Sequence, residues 1–234
     1  MVHEINHALQ LHNEKNNNVE YRNDSIQSCL MRIKMREASS VSSEFVFAYQ
    51  CATNKETPNK DMLKDFKKKQ SESYKKAMKY LGYSDKEVSK PLRKINIKEK
   101  NSTDIEIVRE TIFKSYDFKK DEKKFYVDLV AYQLSKQGLK NLDEKKSKID
   151  INEMVKVLFI RPNNKLKNNI KESDFINNNF MKLCDDCYKE ITKSSSPKKS
   201  SQVKKVLNNF NVFKKDILHK NNIITKQIHK QERL

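Results

Sequence analysis

The sequence predicts a mainly α-helical protein. Its 234 residues include only two glycines, four prolines and no tryptophan, which leaves too few turn residues for an all-β sandwich. Apolar residues instead recur at helical spacing, among residues such as Lys, Glu, Leu and Met that favour helices. Two glycines also exclude a Walker loop or a dinucleotide-binding fingerprint, because each needs several glycines within a few positions.

The first two helices follow from apolar spacing and one cap. Residues 2–12 carry Ile5, Ala8 and Leu9 at helical intervals, and a polar asparagine-rich loop follows. Ser25 is the predicted N-cap of a second helix, because its hydroxyl can accept a hydrogen bond from the first turn. Serines at positions 39–43 leave open whether this helix stops or continues into residues 44–51.

In the middle of the chain, capping and helix-terminating residues predict where the helices begin and end. Residues 61–80 form one predicted helix, which Gly82 ends. Ser84 and Glu87 form a capping box that opens the next helix. The same apolar spacing predicts helices over residues 104–114 and 119–137, and Gly138 is the stop signal for the second of them.

The last part divides into short helices and a basic arm. Asp150 and Glu153 form a second capping box, before a helix that Pro162 ends, and Ser173 opens a helix that runs to residue 191. We therefore expect a helical domain over residues 1–135 and a helical extension over 139–192. A Ser/Lys linker with a basic amphipathic arm occupies 193–234.

The chain is strongly basic, with 49 Lys and Arg against 31 Asp and Glu and a formal charge of +18. Two explanations remain open: a genome-wide drift toward Lys and Asn codons, or a surface for nucleic acid or acidic membranes. No apolar run approaches the length of a membrane span, and the first twenty residues carry no secretory signal. Four cysteines are too sparse for a disulfide-stapled module, so we expect a reduced, cytoplasmic protein.

The most specific pattern is an H-E-x-x-H motif, His3-Glu4-Ile5-Asn6-His7. Residues four apart lie one turn above each other on a helix, so both imidazoles can bind one zinc ion. Glu4 then projects beside the metal, where a carboxylate can act as general base. A zinc hydrolase also needs a third protein ligand, for which Glu37 is the first choice and Glu44 the alternative.

These residues carry a resemblance to a known family. The stretch His-Glu-Ile-Asn-His-Ala-Leu-Gln (3–10), with Arg36-Glu37-Ala38 and the helix after Glu44, resembles the opening of a bacterial family of uncharacterised metallopeptidases. The resemblance extends over residues 3–135, where an aromatic segment around Tyr116 and Tyr126 echoes the family. It implies a zincin-like zinc site in which His3, His7 and Glu37 bind the metal and Glu4 is the general base.

One departure from zincins bears on activity. In zincin folds the motif helix follows a sheet whose edge strand aligns the peptide substrate, whereas here the motif follows Met1 and Val2 directly. His3 also lies in a first helical turn, whose N–H groups lack helical partners. We therefore expect a weakened or incomplete site, as in a truncated or inactive enzyme or a part that works after assembly.

Three further patterns have modest weight. Cys184 and Cys187 form a C-x-x-C, but no second metal-ligand pair accompanies it, so we interpret both as core residues. Residues 74–113 are similar to the three-helix ubiquitin-associated fold, although Pro91 would fall inside the second helix. The basic arm, residues 198–234, could bind nucleic acid or an acidic partner, or remain a solvated tail.

The sequence therefore predicts a mainly α protein with a zincin-like motif helix, a helical bundle and a basic arm. The expected function is a zinc-dependent metallopeptidase that hydrolyses peptide bonds, acting in the cytoplasm or as an effector delivered to a host cell. The alternative is a non-enzymatic helical adaptor that binds nucleic acid or a protein through its basic surface.

Overall fold

The structure, a computed structural model, describes residues 2–16, 25–120, 122–137, 151–158 and 170–193. These residues are mainly helical and include no β-strand, which confirms the predicted fold class. The helices are α1 (Val2–Asn16), α2 (Ile26–Thr53), α3 (Asp61–Lys69), α4 (Ser71–Tyr80), α5 (Asp85–Ser89), α6 (Ser102–Ser115), α7 (Lys123–Gln137), α8 (Ile151–Leu158) and α9 (Asn178–Lys193). Short 3-10 turns lie at Leu92–Lys94 and Glu172–Asp174.

Helix α2 is the central element of the fold. It runs unbroken for 28 residues, and the hydroxyl of Ser25 accepts a hydrogen bond from the Ser28 N–H, as predicted for the cap. The serine segment stays helical because its hydroxyls find acceptors: Ser42 donates to the Ser39 carbonyl and Ser39 donates to the Leu158 carbonyl. Helices α1, α3, α6, α7, α8 and α9 all pack against α2.

The single helix predicted over residues 61–80 is wrong. The chain forms two helices, α3 and α4, which separate at Gln70 with φ −130° and ψ 54°. The break lets both short helices bury apolar side chains, Leu63 and Phe66 from α3 and Tyr74 from α4. No proline or glycine marks this position, so the packing of both helices decides it.

The stop and the cap predicted after α4 are confirmed. Gly82 has φ +88°, a left-handed conformation that residues with a side chain rarely adopt. Its N–H donates to the Lys79 carbonyl while the Tyr83 N–H donates to the Met78 carbonyl, which is the Schellman pattern. Ser84 and Glu87 then form the capping box of α5.

The helix predicted to open at Ser173 starts later. Residues 172–174 form a 3-10 turn, and α9 begins at Asn178. The side chain of Asn177 accepts a hydrogen bond from the Phe180 N–H, so this residue caps the helix instead of Ser173. The helix ends predicted at Gly138 and Pro162 and the helix cap predicted at Asp150 lie outside the described residues, as do the linker and arm after residue 193.

One hydrophobic core includes residues of α2 to α9. Helix α9, from the predicted extension, therefore packs into the same core as the predicted first domain. Cys184 and Cys187 are buried thiols, as the core interpretation expected, and burial raises the pKa of Cys187. None of the described helices is long and apolar enough to cross a membrane.

A buried lysine joins α2 to the segment before α9. Lys34 Nζ donates to the Phe175 carbonyl at 2.9 Å and lies 3.5 Å from Asp117 Oδ1. Burial lowers the pKa of Lys34, while the charge of Asp117 opposes that shift. The region that resembles the ubiquitin-associated fold forms α4, α5 and α6, with α5 ending before Pro91 and the apolar residues of α6 buried in the core.

Candidate metal site

Helix α1 packs on α2 through polar side chains. Its buried residues are Asn6, Gln10 and Glu14, which follow the helical repeat, whereas Ile5 and Leu9 are 53% and 39% exposed. The apolar residues that predicted this helix therefore lie on its outer side. A helix that buries its polar stripe gains little hydrophobic stabilisation, so its position depends on specific hydrogen bonds and charges.

The hydrogen bonds and the ion pair that position α1 join it to Arg36, Ser39 and Ser40 of α2. The amide of Asn6 donates to the hydroxyls of Ser39 and Ser40, at 3.3 and 3.1 Å. Glu14 and Arg36 form a two-pronged ion pair, with Arg36 Nε 2.8 Å from Glu14 Oε1. Small serine side chains on α2 let the two helices approach closely while supplying hydroxyl groups for the buried amide.

The H-E-x-x-H helix brings His3 and His7 against Glu37 of α2. His3 Nε2 lies 3.0 Å from His7 Nε2 and 3.2 Å from Glu37 Oε2. His7 Nε2 lies 3.4 Å from Glu37 Oε1. All three side chains are partly buried, and they are the only group of three or more His, Cys, Asp or Glu side chains with this proximity among the described residues.

The tautomer of neutral His7, that is, which ring nitrogen carries the proton, follows from its neighbour Gln10. The amide nitrogen of Gln10 donates to the Arg36 carbonyl at 3.1 Å, which fixes the amide orientation because a carbonyl can only accept. Gln10 Oε1 therefore faces His7 Nδ1, at 2.9 Å, and must accept its proton. In a neutral His7 the lone pair is then on Nε2, which points at His3 and Glu37.

The lone pair on His7 Nε2 and the carboxylate of Glu37 both face the centre of the cluster, where they favour a shared donor or cation. A proton on one of the imidazole nitrogens satisfies this need, as a metal ion would. Burial alone would raise the pKa of Glu37, but hydrogen bonds from His3 and His7 outweigh it and lower that pKa to about 2. Burial alone would lower the pKa of His7, but Glu37 outweighs it and raises that pKa.

Glu44 lies on the other side of His3. Because α2 is continuous, Glu37 and Glu44, seven residues apart, both face α1. Glu44 Oε2 is 3.8 Å from His3 Nδ1, whereas the cluster uses His3 Nε2. Glu37 is thus the carboxylate that both imidazoles share, and Glu44 contacts only one of them.

Glu4, the predicted general base, is exposed and makes no hydrogen bond or ion pair with the residues that the structure describes. Its charge nevertheless contributes to the raised pKa of His7, so the carboxylate is close to the cluster.

Several neighbours of the cluster were not assigned to it from the sequence. Ser40 Oγ lies 3.3 Å from His7 Nδ1, beside Gln10. Tyr116 and Tyr126 are buried and hydrogen-bonded to each other; burial, followed by the charge of Glu37, raises the pKa of both. Gln10 carried a local signal, since it lies one turn after His7. The tyrosines were noted only as part of the aromatic segment that echoes the family, and nothing in the sequence placed them beside Glu37.

A groove in the described residues lies away from this cluster. A cavity of about 630 Å³ lies between the end of α2 and the start of α6, where Tyr49, Thr53, Glu99 and Glu106 line it. Glu37 and Thr53 are separated by roughly 24 Å along α2 at 1.5 Å per residue. The groove is therefore separate from the cluster of His3, His7 and Glu37.

We found no match to this chain among protein-family models, curated proteins or solved structures.

Proposed function

We propose that this protein binds one zinc ion through His3, His7 and Glu37 and uses it to hydrolyse peptide bonds. The observation that carries the proposal is the convergence of two imidazole nitrogens and one carboxylate at mutual distances of 3.0, 3.2 and 3.4 Å. Three such groups on two different helices form the ligand set of many catalytic zinc sites.

The distances suit a tetrahedral metal. Ligand atoms at 2.0–2.1 Å from zinc, placed at the corners of a tetrahedron, lie roughly 3.3 Å from one another. His3 Nε2 matches this spacing with His7 Nε2, at 3.0 Å, and with Glu37 Oε2, at 3.2 Å, whereas His7 makes its 3.4 Å contact with the other oxygen, Glu37 Oε1. With one ligand atom taken from each side chain, the three atoms lie within 4.8 Å of one another, so a bound ion would require the Glu37 carboxylate to turn. A fourth corner of the tetrahedron remains for water or substrate, as hydrolysis requires.

The neighbours also suit a metal ligand. Metal-binding histidines usually donate their second N–H to a fixed acceptor, which orients the ring and makes the ligating nitrogen more basic. His7 does so toward Gln10 Oε1, and Gln10 is itself held by the backbone of α2. The lone pair that this arrangement creates on Nε2 is directed at the proposed metal position.

Peptide hydrolysis assigns separate roles to the chain's residues. Zinc, when bound, supplies a Lewis acid that polarises the scissile carbonyl and lowers the pKa of water. Glu4 accepts a proton from the attacking water and passes it to the leaving amine. The described residues include no strand along which a peptide could align.

Zinc stoichiometry tests the binding step. Protein purified in metal-free buffer and reloaded with zinc should hold about one zinc per chain. His7→Ala and Glu37→Gln should lose it, whereas His12→Ala, which removes an exposed histidine of the same helix, should retain it. Loss of zinc in Glu44→Gln with retention in Glu37→Gln would contradict the assigned third ligand.

The metal itself needs a direct comparison, because two histidines and one carboxylate also bind Fe(II) in oxygenases. Competition between zinc and Fe(II) under anaerobic conditions should leave zinc in the site. Retention of iron against zinc would overturn the hydrolase proposal.

Catalysis is tested with the zinc-loaded full chain and an unstructured protein substrate such as casein. Cleavage should disappear in Glu4→Gln while the zinc content stays at the wild-type level. A zinc-loaded wild type that cleaves neither casein nor a mixed peptide pool would remove the peptidase step and leave a metal-binding protein.

A further inference from the structure

The positive charge of the described residues is confined to one segment. Residues 60–100 contain 14 Lys and Arg against six Asp and Glu, an excess of eight. All other described residues together contain 17 Lys and Arg and 17 Asp and Glu, which is no excess. A uniform drift in codon usage would spread the excess along the chain, so its confinement indicates a local surface property.

The segment folds so that its cations come together. One side of α3 and of the residue before it carries cations at the helical repeat: Lys60, Lys64, Lys67 and Lys68. Lys60 Nζ donates to the Ile95 carbonyl at 2.9 Å, and Lys67 Nζ donates to the Val88 carbonyl at 2.7 Å. This side of α3 therefore faces the stretch from Val88 to Ile95.

Lys64 lies between these two contacts, opposite the 3-10 turn at Leu92–Lys94. That turn and the residues just before it carry further exposed cations. We call the resulting surface the basic face: Lys64, Lys68, Lys90, Arg93 and Lys94. None of these five side chains forms an ion pair or a hydrogen bond with a described residue, although Lys90 acts at a distance on the carboxylate of Glu87.

We propose that the basic face binds the phosphate backbone of nucleic acid. Clustered cations without partners repel one another, and a polyanion relieves that repulsion while releasing its own counterions. Lys64 and Lys68 lie on α3, which packs on α2, and Arg93 and Lys94 lie on the 3-10 turn, which is anchored by the buried side chains of Leu92 and Ile95. The folded protein therefore holds these charges on one surface. The proposal is independent of the metal site and of the arm after residue 193.

An acidic membrane is the competing polyanion, and the composition of the face disfavours it. Proteins that bind a membrane surface usually add apolar side chains that enter the lipid. The exposed large apolar residues of the described chain are Ile5, Leu9, Phe47, Tyr80, Met181 and Tyr188, and none belongs to the basic face. Nucleic acid needs no such side chains, because phosphate contacts alone give sequence-independent affinity.

The test compares two triple variants of the full-length chain that lose the same charge. The first, Lys64→Gln/Arg93→Gln/Lys94→Gln, removes three cations from the basic face. The control, Lys120→Gln/Lys182→Gln/Lys189→Gln, removes three exposed lysines from outside residues 60–100. Any binding by the basic arm is common to both, so the difference between them isolates the face.

Binding is measured by fluorescence anisotropy with a labelled DNA duplex of roughly 20 base pairs, at salt concentrations of about 50 to 200 mM. We expect the face variant to bind at least about tenfold more weakly than the control, with a salt slope lower by roughly two to three. Equal affinities for the two variants, within about twofold, would overturn the proposal. Binding to phosphatidylserine vesicles, with no binding to DNA or RNA, would do so as well.

Discussion

The ion pair between Glu14 and Arg36 joins α1 to α2, and its removal should loosen the cluster of His3, His7 and Glu37 without changing any of its three side chains. Glu14 and Arg36 form two parallel contacts, and their side chains are only 7% and 22% exposed. An exposed pair contributes about 0–1 kcal/mol, whereas removing one partner of a fully buried pair costs about 3–5 kcal/mol. Because Arg36 retains some contact with solvent, we expect Arg36→Ala to cost about 2–3 kcal/mol.

A double-mutant cycle measures the interaction. Arg36→Ala, Glu14→Ala and the double variant are unfolded in urea, and hydrogen exchange of the α1 amides reports whether the helix detaches locally. The coupling free energy should be about 1.5–2.5 kcal/mol, and exchange in α1 should accelerate more than exchange in α2. A coupling below about 0.5 kcal/mol, typical of a solvent-exposed pair, would refute the view that this pair positions α1.

Three further outcomes are expected. At pH values above the raised pKa of His7, the apparent zinc affinity should be constant. At lower pH it should decrease by up to about tenfold per pH unit for the displaced proton, because zinc and a proton compete for Nε2. Calorimetric titration should place the start of this decrease above pH 6.5, the ordinary histidine pKa, and a start below pH 6.5 would contradict the assigned hydrogen bonds. Glu37, with its pKa of about 2, should add no second step in mild acid. Gln10→Ala should weaken zinc binding about 10- to 100-fold, whereas Gln50→Ala, a control at an exposed position, should leave it unchanged. Equal zinc affinities of the two variants would show that Gln10 does not support the site. Gly82→Ala should lower the free energy of unfolding by about 1–2 kcal/mol, because a side chain is strained at its φ of +88°. No neighbouring atom lies within 4 Å of an added Cβ, so a clash adds nothing to this cost. An unchanged free energy of unfolding in urea would show that the loop relaxes.

The parts of the fold that were predictable depend on local chemistry. Ser25, Gly82 and the Ser84–Glu87 pair act on backbone groups within a turn of themselves, so the sequence around them is sufficient. The break at Gln70 has no such local cause. It arises because α3 and α4 bury their apolar residues separately, which only the assembled core determines.

The candidate site divides in the same way. The H-E-x-x-H spacing places His3 and His7 on one helical face, and the seven-residue interval suggested that Glu37 and Glu44 share a face of α2. The orientation of α1 was not predictable, since its apolar residues Ile5 and Leu9 suggested the opposite inner side. That orientation depends on polar partners supplied by α2, which become visible only when both helices are placed.

The distribution of charge was also hidden in the sequence total. The excess of +18 is a property of the whole chain, and much of it lies in the basic arm. Only the placement of α3 against the turn at Leu92–Lys94 shows that Lys64, Arg93 and Lys94 share one surface. The charge count of residues 60–100 marks the segment, but it does not show which of its cations face the same way.

The zinc content of the full-length protein and two matched variants tests the central claim most directly. Wild type and His12→Ala, reloaded with zinc and passed through metal-free buffer, should each retain about one zinc per chain, while His7→Ala should retain almost none. A wild type that retains no zinc, or a His7→Ala variant that retains as much as His12→Ala, would contradict the assignment of His3, His7 and Glu37 as a metal site.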